Sequence, residues 1–135
     1  MGVRKHNAAQ ARKEAKKSIV SARMKGVPTS PRKMRLVADQ IRGVDVDKAL
    51  QILRFSPKEA SINLEKLLLS AIANWQAKNE DKSIEKAGLF ISKVFVDGGA
   101  MLKRIQPRAQ GRAFRVRKRS NHVTMILESK NASKQ

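Results

Sequence analysis

GGAMLKRIQPRAQGRAFRVRKR, residues 98–119, decides the architecture. It holds eight Lys/Arg and no acid. Arg115, Arg117 and Arg119 alternate with Phe114, Val116 and Lys118, the two-residue period of a strand. Pro107 and Gly111 mark the middle, where the chain should reverse. The stretch therefore reads as an extended hairpin. Its arms have roughly ten residues each, and at ~3.3 Å per residue they span about 30–35 Å. A domain of this size has a radius of gyration of only ~14 Å, so the hairpin must project. It carries too little apolar surface to be stable alone. Something outside the chain has to hold it straight, and its charges point to phosphate. The alternative is a mobile loop of the same length, but structureless loops that long are uncommon in compact domains.

The flanks of this stretch read as strands. Leu89 to Val96 is rich in Phe, Ile and Val. In His122 to Leu127, Val123, Met125 and Leu127 point one way and His122, Thr124 and Ile126 the other. A third short strand fits Ile19 to Met24. Between them the period changes to that of helices. Ser30-Pro31 is a helix start, with Ser as N-cap and Pro at the first helical position. Met34, Val37, Ala38 and Ile41 then form one apolar stripe, and Gly43 suits the position just past the helix end. A second helix begins near Asp45 and buries Val46, Ala49, Leu50 and Leu53. A third begins at Ser56-Pro57-Lys58-Glu59, where Ser56 and Glu59 spell a capping box. It is apolar over much of its circumference (Ile62, Leu64, Leu67, Leu68, Leu69, Ala71, Ile72, Trp75), reads as the most buried helix, and ends near Asn79. The fold class that follows is α+β: three helices packed on a small three-stranded antiparallel sheet, with a long projecting β-hairpin.

Charge narrows the function. The 135 residues carry 30 Lys/Arg and 11 Asp/Glu, a net +19. Residues 1–35 carry net +10, residues 36–82 net zero and residues 83–135 net +9. The middle resembles an ordinary core and the outer parts resemble binding surface. A domain this basic needs a polyanion to offset its self-repulsion, and nucleic acid is the default because each neutralised phosphate releases counterions. Residues 1–17 lack the apolar surface to order alone and read as a basic arm that orders on its partner. Residues 18–128 read as one nucleic-acid-binding domain that includes the hairpin 98–119, and residues 129–135 as a polar tail. Arg32, Lys33 and Arg35 crowd the first turn of the first helix, where the macrodipole disfavours cations. A backbone phosphate there would meet both the cations and the free N–H groups.

Other classes fall away. No apolar run approaches the ~18 residues of a spanning helix, and no apolar stretch follows the N-terminal charges as a secretory signal requires. The chain has no Cys, which excludes a disulfide scaffold, a thiol nucleophile and a Cys-ligated zinc site, and the cytoplasm is the simplest compartment. His6 and His122 form no catalytic pair. Asp39, Asp45 and Asp47 are close in sequence, but capping at helix ends explains them better than a metal-dependent nuclease does. The glycines form no phosphate loop. Trp75 reads as core rather than as a stacking platform. No metal, cofactor or enzymatic activity is expected. A DNA-architectural protein would share the charge and should also show a dimerising core and an apolar wedge at the hairpin tip; Ile105 and Pro107 stand at the tip, so chemistry alone leaves that alternative open.

Several stretches resemble a known family. SPRKMRLVADQIRG at Ser30–Gly43, ALQIL at Ala49–Leu53, SAIAN at Ser70–Asn74 and KRIQPRAQGRAFRVRKRSNHVT at Lys103–Thr124 closely resemble the bacterial type of the large-subunit ribosomal protein L twenty-two family. The matches stay in register from Ile19 to Leu127. The resemblance implies binding to large-subunit ribosomal RNA during assembly and contact with neighbouring ribosomal proteins. It implies a globular domain near the opening of the polypeptide exit tunnel and a hairpin lining the tunnel wall, where it meets the nascent polypeptide. No membrane is involved, and the ribosome places the chain in the cytoplasm.

By position, Ser30, Pro31, Arg32, Lys33 and Arg35 match the family's RNA-facing helix start. Lys103, Arg104, Pro107, Arg108, Gly111 and Arg112 match the tip region, and Arg115, Lys118 and Arg119 the basic stem. Arg12, Lys16, Lys17, Arg42 and Arg117 complete the candidate RNA contacts. The tip that would line the tunnel comprises Lys103, Arg104, Ile105, Gln106, Pro107, Arg108, Ala109, Gln110 and Gly111. Departures from the family are few. Gly98-Gly99-Ala100 replaces Glu-Gly-Pro, which predicts a more pliable hairpin base. Gln106 and Gln110 replace Met and Lys/Arg, Trp75 replaces a small residue, and the arm is longer than in many members.

Overall fold

The computed structural model describes residues 3–80 and 83–130. Of the tail expected at residues 129–135, Ser129 instead ends a strand, paired with Leu89, and Lys130 follows it, because the sheet pairing runs that far; residues 131–135 and the first two residues of the arm lie outside the described residues. The element order is α1 (Val3–Ser18), β1 (Val20–Val27), α2 (Pro31–Ile41), α3 (Val46–Phe55), α4 (Glu59–Lys78), α5 (Ile84–Ala87), β2 (Leu89–Pro107), a 3-10 turn (Ala109–Gly111) and β3 (Ala113–Ser129). The class is α+β, with one antiparallel sheet in the order β1-β3-β2.

The helix count departs from expectation. Helices α2, α3 and α4 are those read from apolar periodicity, and they form the layer on the sheet. The structure adds α1 and the single turn α5. Helix α1 escapes a periodicity argument because it buries no residue. It forms because Ala, Lys, Arg, Gln and Glu are the strongest helix formers, and it ends on Lys16 and Lys17, the charge sign its carbonyl end favours.

Helix α4 lies over β1 and β3, α2 lies over β2 and β3, and α3 packs against α4. Between the layers Met34, Leu53, Leu64, Leu68, Ile91 and Met125 are fully buried, and Trp75 belongs to the same core. On β3, Val123, Met125 and Leu127 are buried and His122, Thr124 and Ile126 only half-buried, as alternation predicts. Helix α4 is not apolar all round: Ile62 and Leu69, seven residues apart, sit exposed on its outer face. Two caps also differ. Helix α4 starts at Glu59 with Lys58 as N-cap, so the Ser56–Glu59 box does not form, and Ser30 caps α2 by position without a side-chain hydrogen bond. Gly43 takes the left-handed conformation (φ +78°) just past α2 and donates its N–H to Ile91 O.

Both sheet edges are closed by side chains. Arg35 and Arg42, seven residues apart, donate to Val96 O (2.9 Å) and Val94 O (3.0 Å) on the β2 edge. On the other side Asn74 donates to Ser21 O (3.1 Å), and Lys78 donates to Ile19 O (2.7 Å) and Lys17 O (2.9 Å). Free carbonyls on an edge would otherwise invite another strand.

Strand β1 pairs with β3 as far as Val27↔Asn121, and beyond Gly98↔Asn121 only β2 and β3 continue, as a two-stranded ribbon paired to Pro107↔Ala113. The change is marked by a bulge, where Gly99 and Ala100 oppose the single residue Ser120. A Cβ on Gly99 would lie 2.6 Å from Ser120 Oγ and 3.2 Å from its carbonyl carbon. Asn121, fully buried, donates through Nδ2 to Thr29 O (2.7 Å) and Thr29 Oγ1 (2.8 Å), and Ser120 Oγ donates to Ala100 O. The base read as pliable from its glycines is thus held by side-chain hydrogen bonds.

Candidate nucleic-acid interface

Three groups of cations were expected to meet phosphate, and the fold positions each differently. Every residue of α1 is exposed, so Arg12, Lys16 and Lys17 stand in solvent alongside Arg4, Lys5 and Lys13. On a helical wheel, Lys5, Arg12, Lys13 and Lys16 share one side, while Asn7, Gln10 and Glu14 lie opposite. One face of the helix therefore suits a phosphate track.

At the start of α2, Arg32 and Lys33 are exposed, no acid occupies the first turn, and Ser30 and Pro31 are half-buried. Without a side-chain cap from Ser30, the leading N–H groups of α2 remain available to an acceptor such as a phosphate oxygen. Arg35 and Arg42 differ. Each donates from one Nη2 to the β2 edge, and Arg42 also pairs with Asp39 (2.7 Å). Both residues are exposed, so each guanidinium bonds to the fold and still faces solvent.

The ribbon is the third group. Every residue from Leu102 to Arg115 is exposed, including Leu102, Ile105 and Phe114 at 59%, 74% and 58%. Lys103, Arg104, Arg108, Arg112, Arg115, Arg117, Lys118 and Arg119 are all exposed, with no acid between Gly98 and Arg119. The turn closes through Arg108 N–H donating to Arg112 O (2.8 Å), with Gln110 and Gly111 both in the left-handed region (φ 60° and 67°). Gln106, Pro107 and Ala109 complete this exposed end.

Four residues shape this surface in ways that sequence reasoning did not assign. Gly99 and Asn121 set the point where the ribbon leaves the sheet. His122 accepts a hydrogen bond at Nδ1 from Gly26 N–H (2.9 Å), which holds the irregular end of β1. Phe114 lies under the Arg108 guanidinium, 5.4 Å from ring centre to carbon. Of these, Gly99 and Phe114 had a signal in sequence: a glycine pair at the base of the hairpin, and an aromatic in register on a strand with no core to face.

The remaining charges are unremarkable. Arg54 and Glu65 form a surface pair (3.2 Å), and Lys130 pairs with Asp45. A hydrogen bond from Lys130 holds the Asp45 carboxyl below its ordinary value. Among the described residues no group of His, Asp and Glu could hold a metal ion, and no helix is long and apolar enough to cross a membrane.

The chain is 66% identical over 131 residues to the large ribosomal subunit protein uL22 of Flavobacterium psychrophilum, covering 97% of this chain and 96% of the relative. The proteins of the same name from Christiangramia forsetii and Bacteroides fragilis are 63% and 60% identical over 131 residues, with 97% of this chain and 97% and 96% of the relatives covered. Residues 22–128, which hold α2 to α5, the ribbon and nearly all of the sheet, match the family described as ribosomal protein L22p/L17e. The chain belongs to the ribosomal protein L22p/L17e family.

Proposed function

We propose that the chain is a structural, non-enzymatic component of the large ribosomal subunit in the cytoplasm, and that it binds large-subunit ribosomal RNA beside neighbouring ribosomal proteins. The observation that carries this reading is the ribbon, which holds cations without acids and is exposed at every residue from Leu102 to Arg115. In this reading residues 18–128 are the RNA-binding domain and residues 98–119 are a long projecting hairpin. Residues 103–111 line the polypeptide exit tunnel and meet the nascent polypeptide. The arm, residues 1–17, docks on RNA as the helix α1 through Arg12, Lys16 and Lys17. Ser30 and Pro31 shape the helix start, Arg32 and Lys33 take phosphate there, and the ribbon cations take phosphate along its length. Arg35 and Arg42 join them only through whatever donors the sheet edge leaves free.

The test is equilibrium binding of the full chain to protein-free large-subunit rRNA and to a duplex DNA of random sequence, in a salt series. If ~6–10 phosphates are neutralised, affinity for rRNA falls by roughly 10³-fold or more between 50 and 200 mM salt. A flat salt response, or tighter binding to the DNA, overturns the reading. Reconstituted subunits test the tunnel placement separately: nucleotides of the tunnel wall should lose protection from chemical probes when residues 103–111 are removed.

A further inference from the structure

The ribbon has two unlike faces. Directly paired residues of antiparallel strands project to the same side. Leu102↔Lys118, Arg104↔Val116 and Gln106↔Phe114 therefore share one face, and Met101↔Arg119, Lys103↔Arg117, Ile105↔Arg115 and Pro107↔Ala113 share the other. The second face holds four cations, Lys103, Arg115, Arg117 and Arg119, and the first holds two, Arg104 and Lys118. The four-cation face is the one built to follow phosphates. Phe114 lies on the opposite face, paired with Gln106 and over half exposed.

An aromatic in that place gives nothing to the core. The ribbon there is two strands thick, and the recorded contact of the ring is the Arg108 guanidinium, 5.4 Å from its centre. That distance is within cation–π range. Leaving the ring in water is unfavourable, and the loss is recovered only if a partner covers it. The arginine–phenylalanine pair presents a flat, cationic-backed surface, which suits a flat, electron-rich group attached to a phosphate chain. An unpaired nucleobase fits that description, because stacking of a base on an aromatic ring beside Arg needs no base pairing and no particular sequence.

We infer that Phe114, backed by Arg108, is a stacking platform for an unpaired RNA base, on the face of the ribbon opposite its phosphate-directed cations. The inference rests on the RNA-binding reading above and adds a contact that charge does not provide. Stacking is insensitive to salt, whereas phosphate contacts are not.

The experiment uses the full chain, protein-free large-subunit rRNA as probe, and three variants: Phe114→Leu, Phe114→Trp and the double change Arg115→Gln/Arg117→Gln. Phe114→Leu keeps the apolar bulk and removes the ring. It should weaken binding about 5- to 150-fold without changing the salt slope. Phe114→Trp should restore affinity, and one unpaired base protected from chemical modification by the wild type should become reactive only with the Leu variant. The double arginine change should instead lower the salt slope by about 1.5. The inference is overturned if Phe114→Leu binds like the wild type. It is also overturned if its loss comes with an altered melting curve or salt slope, which would give the ring a structural task. Unchanged rRNA binding with altered elongation of nascent chains would assign the ring to the polypeptide and overturn it too. If the wild type itself fails to bind rRNA, the RNA-binding reading falls and this inference with it. If the arginine change weakens binding and the ring change does not, only the inference falls.

Discussion

Gly99 shows how much one residue can carry here. It sits in the bulge where three strands become two, and its missing side chain lets the backbone of Ser120 approach. A methyl group there meets backbone atoms at 3.2 Å as well as the Ser120 hydroxyl, which is itself bonded to Ala100 O. Phe or Leu could hardly be worse than Ala at such a site, since the clash begins at Cβ. Gly99→Ala should cost about 1–3 kcal/mol in denaturant unfolding, the usual range for overpacking. The cations of α2 divide on the same scale. Arg35→Gln removes a partly buried hydrogen bond to Val96 O, and melts should show a loss of about 1–2 kcal/mol. Arg32→Gln with Lys33→Gln should leave stability within ~0.5 kcal/mol, or raise it slightly, because both are exposed at the positive end of a helix. Equal effects of the two changes would mean that the Val96 contact contributes nothing.

Between elements, an ion pair ties the start of α3 to the residue just past β3. Asp45 precedes α3, yet its carboxylate makes no capping bond to that helix and instead meets Lys130, just past β3. The Lys130 hydrogen bond lowers the Asp45 value, desolvation opposes it, and the charges of Lys130 and Lys48 add to the lowering. The folded value therefore lies below the unfolded one. The contribution of the pair is full above the ordinary carboxylate value of about 4 and is lost as pH falls through the folded value. Both partners are substantially exposed, so the effect is modest. Stability curves of the wild type and Asp45→Asn should differ at neutral pH and converge below about pH 4. A constant gap down to pH 2 would show that the carboxylate charge is irrelevant. Arg35 of α2 and Arg42 just past it bond the β2 edge, and Asn74 and Lys78 of α4 bond Ser21 O of β1 and Ile19 O just before it, so these helices lock the sheet as well as cover it.

At the scale of the molecule, packing and binding surface are separated in space. The core lies between the helices and the three-stranded part of the sheet, and the ribbon beyond the bulge contributes none of it. Met101 and Arg119 are paired partners, so replacing residues 102–118 by Asn-Gly closes the ribbon with a two-residue turn in register. The shortened chain should fold with helix content unchanged and stability within ~1 kcal/mol, as expected for changes outside the core. It loses Lys103, Arg104, Arg108, Arg112, Arg115, Arg117 and Lys118, so its affinity for rRNA should fall and depend less on salt. Failure to fold would mean that the ribbon supports the domain. An unchanged salt slope would place the phosphate contacts elsewhere.

Alternation and helical spacing are local properties, so the sequence alone determined the strands, the three packed helices, the reversal between Pro107 and Ala113 and the gathering of charge in the two outer parts of the chain. It also determined the core side of β3, because a period of two leaves Val123, Met125 and Leu127 no choice once one face is buried. Tertiary structure decided what depends on residues distant in sequence. Arg35 and Arg42 read like Arg32 and Lys33 until β2 brings the carbonyls of Val94 and Val96 within reach. Asn121 was one letter of a motif until Thr29 arrived beside it, and Gly99 was a flexible residue until Ser120 pressed against it. The capping box at Ser56 also fails: helix α4 starts at Glu59, with Lys58 as its N-cap. Charge and period are written along the chain, but the partner that spends each hydrogen bond is set only when the chain folds.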